Sequence, residues 1–162
     1  MNRLYLVRHG IAVPHGDPDF ADDDRPLTPE GVAHIRQIAK GLRRLKVKPD
    51  RILTSPLPRA ARTAHVIAEV LGLIDVLESE DALRAEKSGA SIREWVVARP
   101  EDRLMIVGHN PSLSDLAGLL LTGDRPLPSV ELRKGGIAAF AAGPDGSLQL
   151  DWIARPKLLR RP

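Results

Sequence analysis

Leu4-Tyr5-Leu6-Val7-Arg8-His9-Gly10 decides how the rest of the chain is read. Four apolar residues in unbroken succession fit a strand buried on both faces, as in a parallel sheet. The run turns polar within one residue and ends on glycine. Such a strand delivers Arg8 and His9 to the carboxyl edge of a sheet, where open α/β folds bind their ligands.

Two further runs repeat the pattern. Arg51-Ile52-Leu53-Thr54-Ser55 leads into Pro56, with Arg59 and Arg62 on the first turn of a helix from about Pro58 to Leu71 that Gly72 stops. Arg103-Leu104-Met105-Ile106-Val107 leads into Gly108-His109-Asn110 just before another helix. That helix carries Leu113, Leu116, Ala117 and Leu120, and Ser112 with Asp115 gives it a capping-box-like start. Thr28-Pro29-Glu30 reads as N-cap, first-turn proline and acid of a helix ending near Lys46. Asp75-Val76-Leu77 reads as a third short strand, 79–90 as a polar loop, and Ile92 to Ala98 as a helix ended before Pro100.

The C-terminal part changes character. Ile137-Ala138-Ala139-Phe140-Ala141 and Ser147-Leu148-Gln149-Leu150-Asp151-Trp152 flank Gly143-Pro144-Asp145-Gly146, which predicts a hairpin. Strands alternating with helices predict an α/β three-layer sandwich. Its central, mostly parallel sheet has helices on both faces and an antiparallel C-terminal hairpin. Residues 1–162 are expected to form a single domain.

Composition narrows the functional classes. The 162 residues include no cysteine, which removes disulfides, thiolate metal sites and cysteine nucleophiles together. No histidine pairs with another ligand at metal-binding spacing, so no metal and no cofactor is expected. The net charge is +3, and 18 of the 24 basic residues are arginine, the side chain best shaped to grip phosphate or carboxylate. Those residues are scattered and aromatics are only 3% of the chain, so no base-stacking platform argues for nucleic acid. No run approaches the ~20 apolar residues of a membrane span. The start does not read as a signal peptide. A cytoplasmic monomer, bound to neither membrane nor nucleic acid, is the expectation.

The three polar strand ends converge if their strands are parallel. They bring two histidines and several arginines to one pocket. Phosphoryl transfer is catalysed mainly by positioning and by electrostatic stabilisation of the equatorial oxygens, which arginine forks supply. A neutral imidazole can attack phosphorus and carry the group covalently. Flanking cations should keep it neutral, and a protonated second histidine can stabilise the developing charge. Gly10 would let the backbone approach the ligand closely. Arg59 sits where the helix dipole disfavours a cation, which hints at a bound anion.

Arg8-His9-Gly10 resembles the signature of the histidine phosphatase (phosphoglycerate mutase-like) superfamily. Ser55-Pro56-Leu57-Pro58-Arg59-Ala60-Ala61-Arg62-Thr63-Ala64 resembles its second motif and Gly108-His109-Asn110 its third. The resemblance implies His9 as nucleophile and His109 as second histidine, with Arg8 and Arg59 completing the catalytic set. It also implies phosphate contacts from Arg8, Arg59, Arg25, Gly10 and Asn110. The short chain, Arg25-Pro26-Leu27-Thr28 and the ending Trp152 to Leu158 look like the SixA-type phosphohistidine phosphatases. The implied partner is a phosphorylated protein bearing a histidine phosphotransfer domain; a small phosphate ester, or mere phosphate binding without catalysis, is the alternative. Larger relatives use a carboxylic acid to protonate the leaving group. The matching region, Asp81 to Gly89, offers Glu86, while Asp17, Asp19 and Asp22 are other candidates. An imidazole leaves more readily than an alkoxide, so a phosphohistidine substrate makes such an acid less necessary.

Overall fold

The computed structural model describes residues 1–123 and 130–161. Six strands of the described residues form one sheet: β1 (Arg3–Arg8), β2 (Arg51–Thr54), β3 (Leu77–Ser79), β4 (Arg103–Gly108), β5 (Ile137–Ala142) and β6 (Leu148–Ala154). Their order is β3-β2-β4-β1-β5-β6. The first four run parallel; β5 is antiparallel to β1, and β6 to β5. This is the α/β fold with a C-terminal hairpin that the strand runs predict.

Burial on both faces explains the unbroken apolar runs. In β1, Tyr5 and Val7 face one side while Leu4 and Leu6 face the other; in β4, Met105 and Val107 oppose Leu104 and Ile106. The first face packs on α1 (Pro29–Arg44), α2 (Pro58–Leu71) and α5 (Pro156–Leu159), through Ile35, Ile38, Leu42, Ile67 and Leu159. The second packs on α3 (Gly89–Val97) and α4 (Ser112–Thr122), through Ile92, Val96, Leu113 and Leu116.

Local signals set most of the boundaries. Thr28 Oγ1 accepts the Gly31 N–H at 3.0 Å and caps α1, with Pro29 at its first position. α1 stops at Arg44, two residues before Lys46, which takes a left-handed conformation (φ 56°). Gly72 closes α2 in the left-handed region at φ 71°, where glycine carries no Cβ penalty.

Two expectations need correction. The third strand begins at Leu77, not Asp75, because Ile74–Val76 form a 3₁₀ turn. The Val76 amide is spent on the Leu73 carbonyl there, so it cannot join the sheet. Ser112 does not cap α4 either. The helix starts one residue earlier than a Ser112 cap requires, so Ser112 is already helical and its hydroxyl donates to the His109 carbonyl at 3.0 Å. Within 79–90, read as loop, lie the end of β3, a 3₁₀ turn at Asp81–Leu83 and the start of α3.

Gly41 lets α5 lie against α1, since a Cβ there would run into the Leu159 carbonyl. Gly41→Ala should destabilise the fold by about 1–3 kcal/mol, as overpacking does. Urea unfolding checks this, and an unchanged midpoint would show that α5 yields freely.

Candidate active site

The parallel register sets three strand ends level. Arg8 pairs with Gly108, and Thr54 with Val107. One residue on, the His9 N–H donates to the Gly108 carbonyl and the Ser55 N–H to the Val107 carbonyl, both at 3.0 Å. α2 starts just past Ser55 and adds Arg59. Arg8, His9, Arg59 and His109 thus meet in a pocket of about 170 Å³, with Arg25 and Asn110 also in its wall.

His9 is 6% exposed. Its Nδ1 lies 2.8 Å from the Gly10 carbonyl, which can only accept, so Nδ1 carries the hydrogen and Nε2 keeps its lone pair. Burial pushes its pKa down to about 3; the Gly10 bond opposes this, and His109, Arg59 and Arg8 add to it. The ring is therefore neutral and nucleophilic near pH 7. Desolvation, more than the flanking cations invoked from the sequence, keeps it so.

Gly10 does not act as expected. Its N–H donates to Thr63 Oγ1 at 3.0 Å, and the Thr63 hydroxyl donates to the Arg59 carbonyl at 2.7 Å. A Cβ at Gly10 would come 2.8 Å from Ile35 Cγ1, so the absent side chain serves packing on α1. The contribution of Gly10 to the site is the carbonyl that orients His9.

His109 is 2% exposed, and its ring centroid lies 5.3 Å from that of His9. Its Nε2 is 2.8 Å from Ser55 Oγ, and its buried Nδ1 has no partner among the described residues. Burial pushes its pKa down to about 4, with Arg59, Arg25 and Arg8 lowering it and Glu86 opposing them. The second histidine is thus neutral in the free protein, so the protonated form that could stabilise developing charge is not its resting state.

The arginines are braced by backbone. Arg8 Nη1 donates to the Leu132 carbonyl at 2.9 Å, and Arg59 Nη1 to the Asp22 carbonyl at 3.1 Å. Nε of both is buried without a partner among the described residues. Arg25 spends most of its donors on the first loop, at Val13, Asp22 and His15. Asn110 Nδ2 donates to the Leu132 carbonyl at 3.1 Å and its Oδ1 has no partner among the described residues. Arg62 is exposed and outside the pocket.

The carboxylates also depart from expectation. Glu86 is exposed, 3.2 Å from Arg84 Nε, and its neighbour Ala85 lines the pocket instead. Its own backbone N–H and the Arg84 charge hold its pKa below the ordinary carboxylate value, against desolvation. Asp17 and Asp19 form a turn off the pocket. Asp22 does line it, bonded to Arg25 and His15. Desolvation pushes Asp22 up, but the Arg25 and His15 interactions outweigh it and leave the group ionised. No protonated carboxyl lines the pocket among the described residues. His15 and Lys134 also line it, and Ser55 and Thr63 hold its parts together. A serine at a strand end before proline looks like any turn residue, so only the three-dimensional arrangement reveals it.

The family model for the histidine phosphatase superfamily (branch 1) matches residues 4–88. The chain belongs to that superfamily. It is a phosphatase of the α/β, phosphoglycerate mutase-like fold. An uncharacterized protein of Picosynechococcus sp. is 35% identical over 144 residues, 86% of this chain and 85% of the relative. The phosphohistidine phosphatase SixA of Escherichia coli is 27% identical over 149 residues, 85% of this chain and 90% of that protein. A solved structure of the protein histidine phosphatase SixA complexed with tungstate superposes with a TM-score of 0.83, covering 97% of this chain and 99% of the other at 24% identity, which establishes the shared fold. Among the described residues no helix is long and apolar enough to cross a membrane.

Two buried neutral imidazoles make the fold acid-sensitive. Unfolded histidine takes up its proton near pH ~6.5. In the folded protein His9 and His109 stay neutral down to about 3 and about 4. Over that interval the unfolded chain binds more protons, so stability must fall as pH drops. Thermal melts check this: Tm of the wild type should fall more steeply below pH ~6.5 than that of a His9→Gln/His109→Gln variant.

Proposed function

We propose that the protein removes phosphate from phosphohistidine on a partner protein, through a phosphoryl group carried on His9. The observation that carries this reading is the absence, among the described residues, of a protonated carboxyl in a pocket that otherwise holds nucleophile, second histidine and arginines. An alkoxide leaving group needs a proton, and a positioned acid typically supplies about 10²–10⁴-fold of rate. An imidazole protonated on its far nitrogen departs neutral and needs none. The similarity to a phosphohistidine phosphatase over most of both chains supports the same reading.

In the proposed reaction, His9 Nε2 attacks phosphorus and the bond from phosphorus to the substrate imidazole breaks. His9 Nδ1 keeps its hydrogen on the Gly10 carbonyl, so the phosphorylated ring is a cation. A cationic ring is a good leaving group in its turn. Water then attacks phosphorus, the His9–phosphorus bond breaks, and dihydrogen phosphate departs with both protons of the water. Arg8 and Arg59 hold the equatorial oxygens, with Arg25 bracing the loop on which Arg59 rests. The partner is a phosphotransfer-type protein, and the enzyme works as a cytoplasmic monomer of one domain, with no cofactor.

Phosphorylated phosphotransfer protein and an alkyl phosphate ester, given to wild type and His9→Ala, test this. Wild type should favour the phosphoprotein in kcat/KM by about 10²–10⁴, the share of a missing acid. His9→Ala should turn over neither and form no acid-labile phosphoenzyme. Equal rates on the ester would sink the preference for nitrogen.

A further inference from the structure

Ser55 is fully buried at the end of β2 and takes no part in the mechanism above. Its hydroxyl has one hydrogen to give and two lone pairs to fill. The Leu57 N–H donates to Oγ at 3.3 Å. The hydroxyl hydrogen then has one acceptor within reach among the described residues, His109 Nε2 at 2.8 Å. In the opposite arrangement Nε2–H would donate to Oγ, and the hydroxyl hydrogen would lie buried without an acceptor. Each arrangement leaves one buried donor unmet, Nδ1–H in the first and the hydroxyl in the second, but the second also leaves the Nδ1 lone pair unfilled. A further unsatisfied buried polar group costs about 1–3 kcal/mol, so the first arrangement wins.

With Nε2 accepting, the hydrogen of the neutral ring must sit on Nδ1. That atom is buried and has no partner among the described residues. Buried polar atoms are nearly always satisfied, so an orphan in a pocket wall marks where a ligand atom belongs. The groups around the ring come from every side: His9 and Arg8 at the end of β1, Arg25 from the first loop, Arg59 from α2 and Glu86 before α3. Three of them are cations that resist protonation of His109, so a donor that needs no proton uptake is what the pocket requires.

We infer that Ser55 is a positioning residue: its hydroxyl donates to His109 Nε2 and fixes the neutral ring as the Nδ1–H tautomer, which donates to a phosphoryl oxygen. The inference rests on the pocket taking a phosphoryl group, as proposed above, but not on the atom from which that group is released. Ser55→Ala removes the lock. The neutral ring is then free to place its hydrogen on Nε2 and present a lone pair to the anion. Protonation at low pH restores a hydrogen to Nδ1 whatever Ser55 does, and His9, the weaker base, stays neutral longest.

The ring nitrogens of His109 can be read directly by 15N NMR of the ligand-free protein, with His109→Gln assigning the signals. Wild type should show a protonated Nδ1 and a bare Nε2 near neutral pH, and Ser55→Ala should lose that pattern. Inorganic phosphate, titrated calorimetrically, should bind Ser55→Ala about tenfold more weakly at pH ~7.5, the worth of one hydrogen bond to an anion. The deficit should shrink at pH about 4, where the imidazolium form grows. A bare Nδ1 in wild type overturns the inference, and so does a deficit that is absent or equal at both pH values. If Ser55→Ala does not fold, the wild-type spectrum still decides. Wild type that shows the expected tautomer yet fails to turn over any phosphorylated substrate would sink the proposed function and leave the tautomer assignment standing.

Discussion

The pairing of β1 with β4 in parallel register is the constraint on which the site depends. It brings Arg8 opposite Gly108, so His9 and His109 leave the sheet at the same height, and the 5.3 Å between their rings follows. A shift of one residue would exchange the faces of Tyr5 and Val7 with those of Leu4 and Leu6, mismatching both packed cores, and would separate the two imidazoles. Leu4, Leu6, Leu104 and Ile106 on one face, with Tyr5, Val7, Met105 and Val107 on the other, oppose such a slip. The burial that stabilises the fold is thus the same burial that aligns the chemistry.

The pocket wall farthest from the sheet is made differently. The first loop has no strand to hold it, and it hangs on guanidinium groups: Arg25 reaches Val13, His15 and Asp22, and Arg59 reaches the carbonyls of Asp22 and Asp23. Arg59 is nevertheless 3% exposed at the first turn of α2, where the helix dipole gives it no help. Loop carbonyls offset part of that cost in the free protein, and an anion would offset the rest. Structure and ligand binding therefore draw on the same cations, which is why few of their donors are idle.

Much of this was legible in the sequence, for a physical reason. Strands buried on both faces must be apolar throughout, so they stand out as runs, and the polar residues that follow mark strand ends. Those ends named Arg8, His9, Arg59 and His109 correctly as neighbours. The failures share another cause. Gly10, Asn110, Ser55 and Thr63 act through single hydrogen bonds whose partners lie on other elements or are backbone carbonyls, and no residue spacing encodes those. The Asp75 boundary failed because a 3₁₀ turn competes with a strand for the same amides over three residues. The sequence left the state of His109 open because burial, a property of the folded whole, outweighs the neighbouring charges in setting it.

The acceptor that aims His9 is the carbonyl of Gly10, the next residue in the chain. In many enzymes the group that orients a catalytic histidine is an aspartate side chain, which one substitution can delete. Here the orienting atom belongs to the main chain and survives every substitution. A change at position 10 would act by displacing Ile35, and its effect would report packing. The aim of the nucleophile is therefore invisible to alanine scanning. It is also robust to sequence drift, because every amino acid supplies the carbonyl it needs.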